Sequence, residues 1–119
     1  MKNRPLLDRF GFALTGLRVV YASERSFRTE CWIALAAGVV LLILRPGWAW
    51  AAAIVLCAML VLALELLNSA LEYLIDHIHP EIAPAIKHAK DAAAGAVFIA
   101  AVGSTCVAAM MLAAIYFGA

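Results

Sequence analysis

Between residues 92 and 117 the chain carries no charged side chain, and the runs 31–44 and 48–64 are equally free of charge. The 26 residues of the last run reach about 39 Å as an α-helix, longer than the ~30 Å hydrocarbon core of a bilayer. A chain of 119 residues that is 66% hydrophobic and 14% charged, with a mean hydropathy of +0.96, cannot hide that apolar surface within itself. Small domains bury a smaller share of their surface than large ones, and soluble domains average about 45–50% apolar. Lipid is therefore the expected solvent for most of the chain. A soluble α/β enzyme, a nucleic-acid-binding module and a disulfide-rich secreted scaffold are excluded on this ground.

The shorter runs become spans once their flanks are included. The polar cluster SERSFRTE (23–30) feeds directly into the first run, which extends to membrane length if its helix starts near Glu24. Arg45-Pro46-Gly47 then reverses the chain, because neither Pro nor Gly continues a helix. Trp48 and Trp50 suit an interfacial aromatic belt at the start of the second span. Helical spacing persists through ELLNSALEYLIDHI to Ile78, and Pro80 and Pro84 place a loop over 79–86. Ahead of all three spans, Leu6, Phe10, Ala13, Leu14 and Leu17 fall at helical spacing among Asp8, Arg9, Thr15 and Arg18. That pattern fits an amphipathic helix lying in the membrane interface.

The expected architecture is an all-α integral membrane protein forming one membrane domain over 1–119. An interfacial helix at 5–23 precedes transmembrane helices at 25–44, 48–78 and 87–117. The apolar stretch behind Lys2 and Arg4 is broken at once by Asp8 and Arg9, so no cleavable leader is expected. Cys31, Cys57 and Cys106 sit singly in apolar runs and read as small hydrophobes rather than metal ligands. Three spans put the termini on opposite sides. Eight of the nine Lys and Arg residues then fall on the N-terminal side, with Arg45 alone opposite. The positive-inside rule makes that side cytoplasmic. All eight acidic residues fall there too.

The acidic residues are not scattered. Glu65, Asn68, Ser69, Glu72 and Asp76 project within an arc of about 100° on one face of the second span, opposite Leu67, Leu71, Leu74 and Ile78. Ionisable groups at this depth cost several kcal/mol unless paired or hydrated. Arg18, Arg25, Arg28, Lys87 and Lys90 are candidate counter-charges, and so is a bound divalent cation. An oxygen-only donor set favours Mg²⁺, usually held by one or two carboxylates together with substrate phosphates. For Asp76, close to the loop, a structural role is the simpler reading. Glu65 with Glu72 points to chemistry, because Ser and Thr would serve a purely structural seam. With Glu24 and Glu30 on the first span and Lys90-Asp91 on the third, three helix ends converge on one layer. Such a constellation suits phosphoryl transfer, in which positioning and charge neutralisation carry most of the catalysis and a carboxylate takes a proton from the attacking hydroxyl. No P-loop or Gly-rich nucleotide loop is present. His77 and His79 with His88 could bind a metal, but a polar loop is the simpler reading. Ala92, Ala96, Ala100, Ser104 and Ala108 form a stripe of small residues suited to close helix packing, within or between chains. Three helices are few to enclose a site, so a homo-oligomeric bundle is expected.

ELLNSALE (65–72), AKDAAAGAV (89–97) after a Pro-containing loop, and SERSFRTE (23–30) before the first span together resemble the prokaryotic diacylglycerol kinase family, which includes the undecaprenol kinases. The resemblance runs from about Gly16 to the end of the third span; ahead of it, Phe12 stands where an aromatic hydroxyl would be expected. It implies a homotrimer in the bacterial inner (cytoplasmic) membrane, with active sites shared between subunits. The implied reaction transfers the γ-phosphate of Mg·ATP to the hydroxyl of diacylglycerol, giving phosphatidic acid; undecaprenol is the alternative acceptor. Carried onto this sequence, Glu65 is the catalytic base and Glu24 and Glu72 are the metal carboxylates, which with Lys90 and Asp91 contact the nucleotide. Asn68 is the amide of the motif, and Glu30 and Ser69 are lipid contacts. Two other classes compete: a small proton-coupled multidrug transporter subunit, and a non-catalytic membrane oligomer. The first is expected to have four spans and a lone intramembrane Glu, unlike the clustered carboxylates here; the acidic stripe argues against the second.

Overall fold

The computed structural model describes residues 5–81 and 83–118, and among them every regular element is helical. Helix α1 spans Leu6–Ser23, α2 Arg25–Leu44, α3 Trp48–Ile78 and α4 Pro84–Phe117. The last three are long and apolar enough to cross a membrane. Their lengths of 20, 31 and 34 residues correspond to about 30, 46 and 51 Å. The excess of α3 and α4 over a ~30 Å core carries both helices out of the apolar layer at the end where they are joined to each other.

The junctions follow from local chemistry. Glu24 is the single extended residue between α1 and α2, with φ −113° and ψ 112°. Its N–H donates to the Val20 carbonyl at 2.8 Å and its own carbonyl accepts from Arg28 N–H at 3.3 Å. Arg28 Nη1 donates to the carbonyls of Tyr21 and Ala22 at 2.8 and 3.0 Å, satisfying acceptors that the end of α1 would otherwise leave open. Between α2 and α3 the chain reverses through Arg45 at φ 48° and Gly47 at φ 107°. The third span begins earlier than the loop expected over 79–86 would allow, at Pro84 rather than near Lys87. Proline favours the first helical turn, where its missing N–H has no partner to lose and its fixed φ is already helical. Pro84 therefore opens α4 instead of holding the chain out of it.

Helix α3 is the centre of the bundle. It packs against α4 most extensively, against α2, and against the end of α1, whereas α2 and α4 do not approach one another closely. The result is a cleft of about 480 Å³ floored by α3 and walled by α2 and α4. Its lining is almost wholly apolar, including Ala34, Ala37, Ile54, Val61, Ala108 and Met111, with Glu30 at one end. The small-residue stripe of α4 is not a continuous helix–helix seam within this chain. Ala92 and Ala96 are exposed, and Ser104 and Ala108 line the cleft, where their small side chains leave its volume open. Most large apolar side chains face outward, among them Leu42, Trp48, Leu56 and Phe98, as a lipid solvent requires.

Gly47→Ala would place a Cβ where no atom lies within 4 Å, so its whole cost is backbone strain at φ 107°. The variant should lose about 1–3 kcal/mol, read as a lower Tm in detergent micelles.

Candidate active site

Two α-helical stripes and one corner meet at the end of the bundle that carries the α3–α4 connection. On α3, Glu65 lies about 26 Å along the axis from Trp48, close to the expected edge of the hydrocarbon core. It is 8% exposed, and Ser69, one turn on, is 2% exposed. Few polar side chains are so deeply covered in this thin bundle. The Glu65 carboxyl lies near that of Glu30 on α2. With both ionised neither has a donor to offer, and Glu30 Oε2 is buried with no donor from any described residue.

Further along the same face, Asn68 Nδ2 donates to Glu72 Oε1 at 3.4 Å, an i, i+4 contact along the helix surface. The other end of that amide, Oδ1, is buried and has no partner. Glu72 is half-buried, and among the described residues no Lys or Arg pairs with Glu24, Glu30, Glu65 or Glu72. Three of the five basic groups offered by the sequence are engaged elsewhere. Arg28 caps α1. Lys87 Nζ bonds Asp91 Oδ2 at 2.6 Å within α4, and Lys90 Nζ bonds Asp76 Oδ1 at 2.6 Å between α4 and α3. Lys90 and Asp91 are thus neighbours in sequence but belong to two separate ion pairs.

Glu24 is carried into this layer by the α1–α2 corner. Val20 and Phe27, at 6% and 3% exposure, bury the inside of that corner. The Ser23 hydroxyl meets the Tyr73 phenol of α3, so the residue before Glu24 touches the residue after Glu72. The sequence offered no signal for this contact, because a Ser flanking one acidic residue and a Tyr flanking another have no spacing in common. Nor did it reveal that Asp76 holds Lys90. Ser69, by contrast, faces helix packing and is not among the residues lining the cleft. His79 Nδ1 donates to the Glu81 carbonyl at 2.8 Å, which makes it part of the loop's own hydrogen bonding.

Among the described residues, no three His, Cys, Asp or Glu side chains form a cage able to hold a metal ion alone. The donor types present are nevertheless those of Mg²⁺: the Glu72 carboxylate with the unpartnered amide oxygen of Asn68 beside it, and the Glu24 carboxylate on the corner that meets the same stretch of α3. An ion of that type takes one or two protein carboxylates and completes its shell with phosphate and water oxygens. The layer as a whole therefore offers a buried carboxyl pair at the end of an apolar cleft, two further carboxylates nearer the surface, and two lysines at the rim.

The sequence profile of the prokaryotic diacylglycerol kinase family matches residues 11–112. A Synechocystis protein named diacylglycerol kinase is 35% identical over 111 residues, covering 90% of this chain and 62% of the relative. The diacylglycerol kinase of Haemophilus influenzae is 34% identical, with 80% of each chain covered. That of Escherichia coli K12 is 33% identical, covering 80% of this chain and 78% of the relative. The chain thus spans less than two thirds of the Synechocystis protein but about four-fifths of the other two. With three apolar helices of membrane-spanning length and a family match over most of its residues, this multi-pass membrane protein belongs to the prokaryotic diacylglycerol kinase family of lipid kinases.

Proposed function

We propose that this chain transfers the γ-phosphate of Mg·ATP to the hydroxyl of diacylglycerol, giving phosphatidic acid and ADP. The observation that carries the reading is the Glu30–Glu65 carboxyl pair, buried at the end of a cleft whose remaining lining is almost entirely apolar. A lipid hydroxyl is the group that such a place accommodates. Its acyl chains stay among apolar side chains, and its O–H comes to the carboxyl end of the cleft. Glu65 then takes the hydroxyl proton as the oxygen attacks the γ-phosphorus, and the bond to the β,γ-bridging oxygen breaks to release ADP.

Glu24 and Glu72 would hold Mg²⁺ with the phosphates, and Asn68 fixes the Glu72 carboxylate through its amide N–H. Bound there, the ion neutralises charge on the phosphate oxygens. Lys90 and Asp91, at the start of α4, complete the nucleotide side of the site. Undecaprenol differs only as acceptor; the relatives' shared name, diacylglycerol kinase, supports diacylglycerol. The reading carries with it a homotrimer with sites shared between copies. It also places the protein in the bacterial cytoplasmic membrane with the N-terminus and site on the inner face, supported by the placement of eight of nine Lys and Arg residues.

Phosphorylation of diacylglycerol and of undecaprenol by the purified protein in mixed micelles, with Mg·ATP, tests the acceptor. The expected result is faster turnover on diacylglycerol; preference for undecaprenol would reassign it. Glu65→Gln keeps the shape and removes the base, so kcat should fall by about 10²–10⁴-fold while ATP binding measured by calorimetry stays near wild type. Glu24→Ala and Glu72→Ala should each raise the Mg·ATP concentration needed for half-maximal rate. An unchanged requirement in both would refute the metal assignment.

A further inference from the structure

The α1–α2 corner is attached to α3 by a directional contact. Ser23 Oγ donates to the Val19 carbonyl at 2.8 Å. A serine hydroxyl has one proton, so at the Ser23–Tyr73 contact the phenol of Tyr73 must be the donor. The order is fixed: Tyr73 O–H to Ser23 Oγ, and Ser23 O–H to the last turn of α1. The relay ends one residue from Glu24 and starts one residue from Glu72.

Other contacts at the corner act only along the chain. Arg28 ties α2 back to the carbonyls of α1, and the Glu24 backbone bonds Val20 and Arg28. These make α1, Glu24 and α2 one unit without fixing its height along α3. Burial of Val20 and Phe27 is non-directional and tolerates sliding. Among the described side chains, the Tyr73–Ser23 contact is the hydrogen bond that joins this corner to α3.

From this geometry we infer that Tyr73 is a positioning residue: its hydrogen bond to Ser23 holds the α1–α2 corner, and with it Glu24, against the stretch of α3 that carries Glu72, the two carboxylates proposed for the cation of Mg·ATP. The inference rests on the kinase reading above and adds to it a residue that touches neither substrate nor ion. Removing the phenolic oxygen leaves Glu24, Glu72 and the Glu30–Glu65 pair intact but lets the first carboxylate drift from the second. The cost falls on cation and nucleotide binding, not on the chemical step.

The test uses the full chain in micelles with Tyr73→Phe, Ser23→Ala, Ser23→Thr and the Tyr73→Phe/Ser23→Ala double variant. Binding of Mn²⁺ in the presence of ATP is followed by electron paramagnetic resonance without lipid acceptor, alongside kcat and KM for Mg·ATP with acceptor. Tyr73→Phe and Ser23→Ala should each weaken Mn·ATP binding and raise KM roughly three- to ten-fold, with kcat within about two-fold. The double variant should be no worse than Ser23→Ala alone, because the Ser23–Tyr73 bond is already lost in that single change. Ser23→Thr keeps the hydroxyl and should restore binding. Unchanged affinity in Tyr73→Phe, additive losses in the double variant, or equal loss in Ser23→Thr and Ser23→Ala would each overturn the inference while leaving the kinase reading in place. A wild-type protein that binds no Mn·ATP and phosphorylates no lipid would overturn both.

Discussion

The hydrocarbon core offers a backbone no hydrogen-bonding partner but itself, and that constraint shapes the rest of this molecule. It forces α2, α3 and α4 to be helical over their full apolar lengths. It confines the reversals between spans to the connections from Leu44 to Trp48 and from Ile78 to Pro84, and it leaves carboxylates tolerable only near the ends of the spans. Packing then has little hydrophobic drive of its own, since lipid solvates an exposed Leu as well as a neighbouring helix does. Few residues are deeply buried as a result, and the large apolar side chains point outward. Against that background, a glutamate at 8% exposure stands out much more than it would in a soluble core.

Helix α3 is where the constraint becomes a site. It touches α1, α2 and α4, and its 31 residues outrun the apolar layer on the side where its polar stripe lies. Each partner helix delivers one part of the layer to that stripe. From α2 comes Glu30, against Glu65. The α1–α2 corner brings Glu24, through the Ser23–Tyr73 contact, and α4 brings Lys90, through Asp76. The open angle between α2 and α4 keeps the apolar cleft accessible along α3. The polar layer and the apolar cleft are therefore two consequences of one packing pattern, and they meet at Glu30.

Much of this was legible in the sequence because hydropathy and helical period are local properties. The three spans, the turn at Arg45-Pro46-Gly47, and the shared face of Glu65, Asn68, Ser69, Glu72 and Asp76 all follow from residues within a few turns of each other. The start of α4 was misplaced because proline carries two opposite meanings: it ends a helix when it falls inside one, and it begins one at the first turn. Only the following residues decide between them. Pairings between helices were hidden for a different reason. Asp76 with Lys90, Glu30 with Glu65 and Ser23 with Tyr73 depend on relative height and rotation of helices 14 to 50 residues apart in the chain, which no local pattern encodes. The sequence pointed to which side chains gather at this end of the bundle but not to which one each would touch.

Those pairings differ in how firmly they hold. The Lys87–Asp91 and Lys90–Asp76 bridges sit at the rim with at least one highly exposed partner, and such pairs are worth about 0–1 kcal/mol. A phosphate carrying more than one negative charge competes readily for Lys90, and release of Asp76 costs little because water takes its place. The Glu30–Glu65 pair has no such freedom, since Glu65 is buried and Glu30 Oε2 is shut off from other donors. Under the kinase reading this gradient matches the demands of phosphoryl transfer. Nucleotide must enter and ADP must leave, so the rim that meets it is built from contacts that exchange cheaply. The acceptor hydroxyl must meet its base in one orientation, so that contact is buried where nothing else can satisfy the carboxylates.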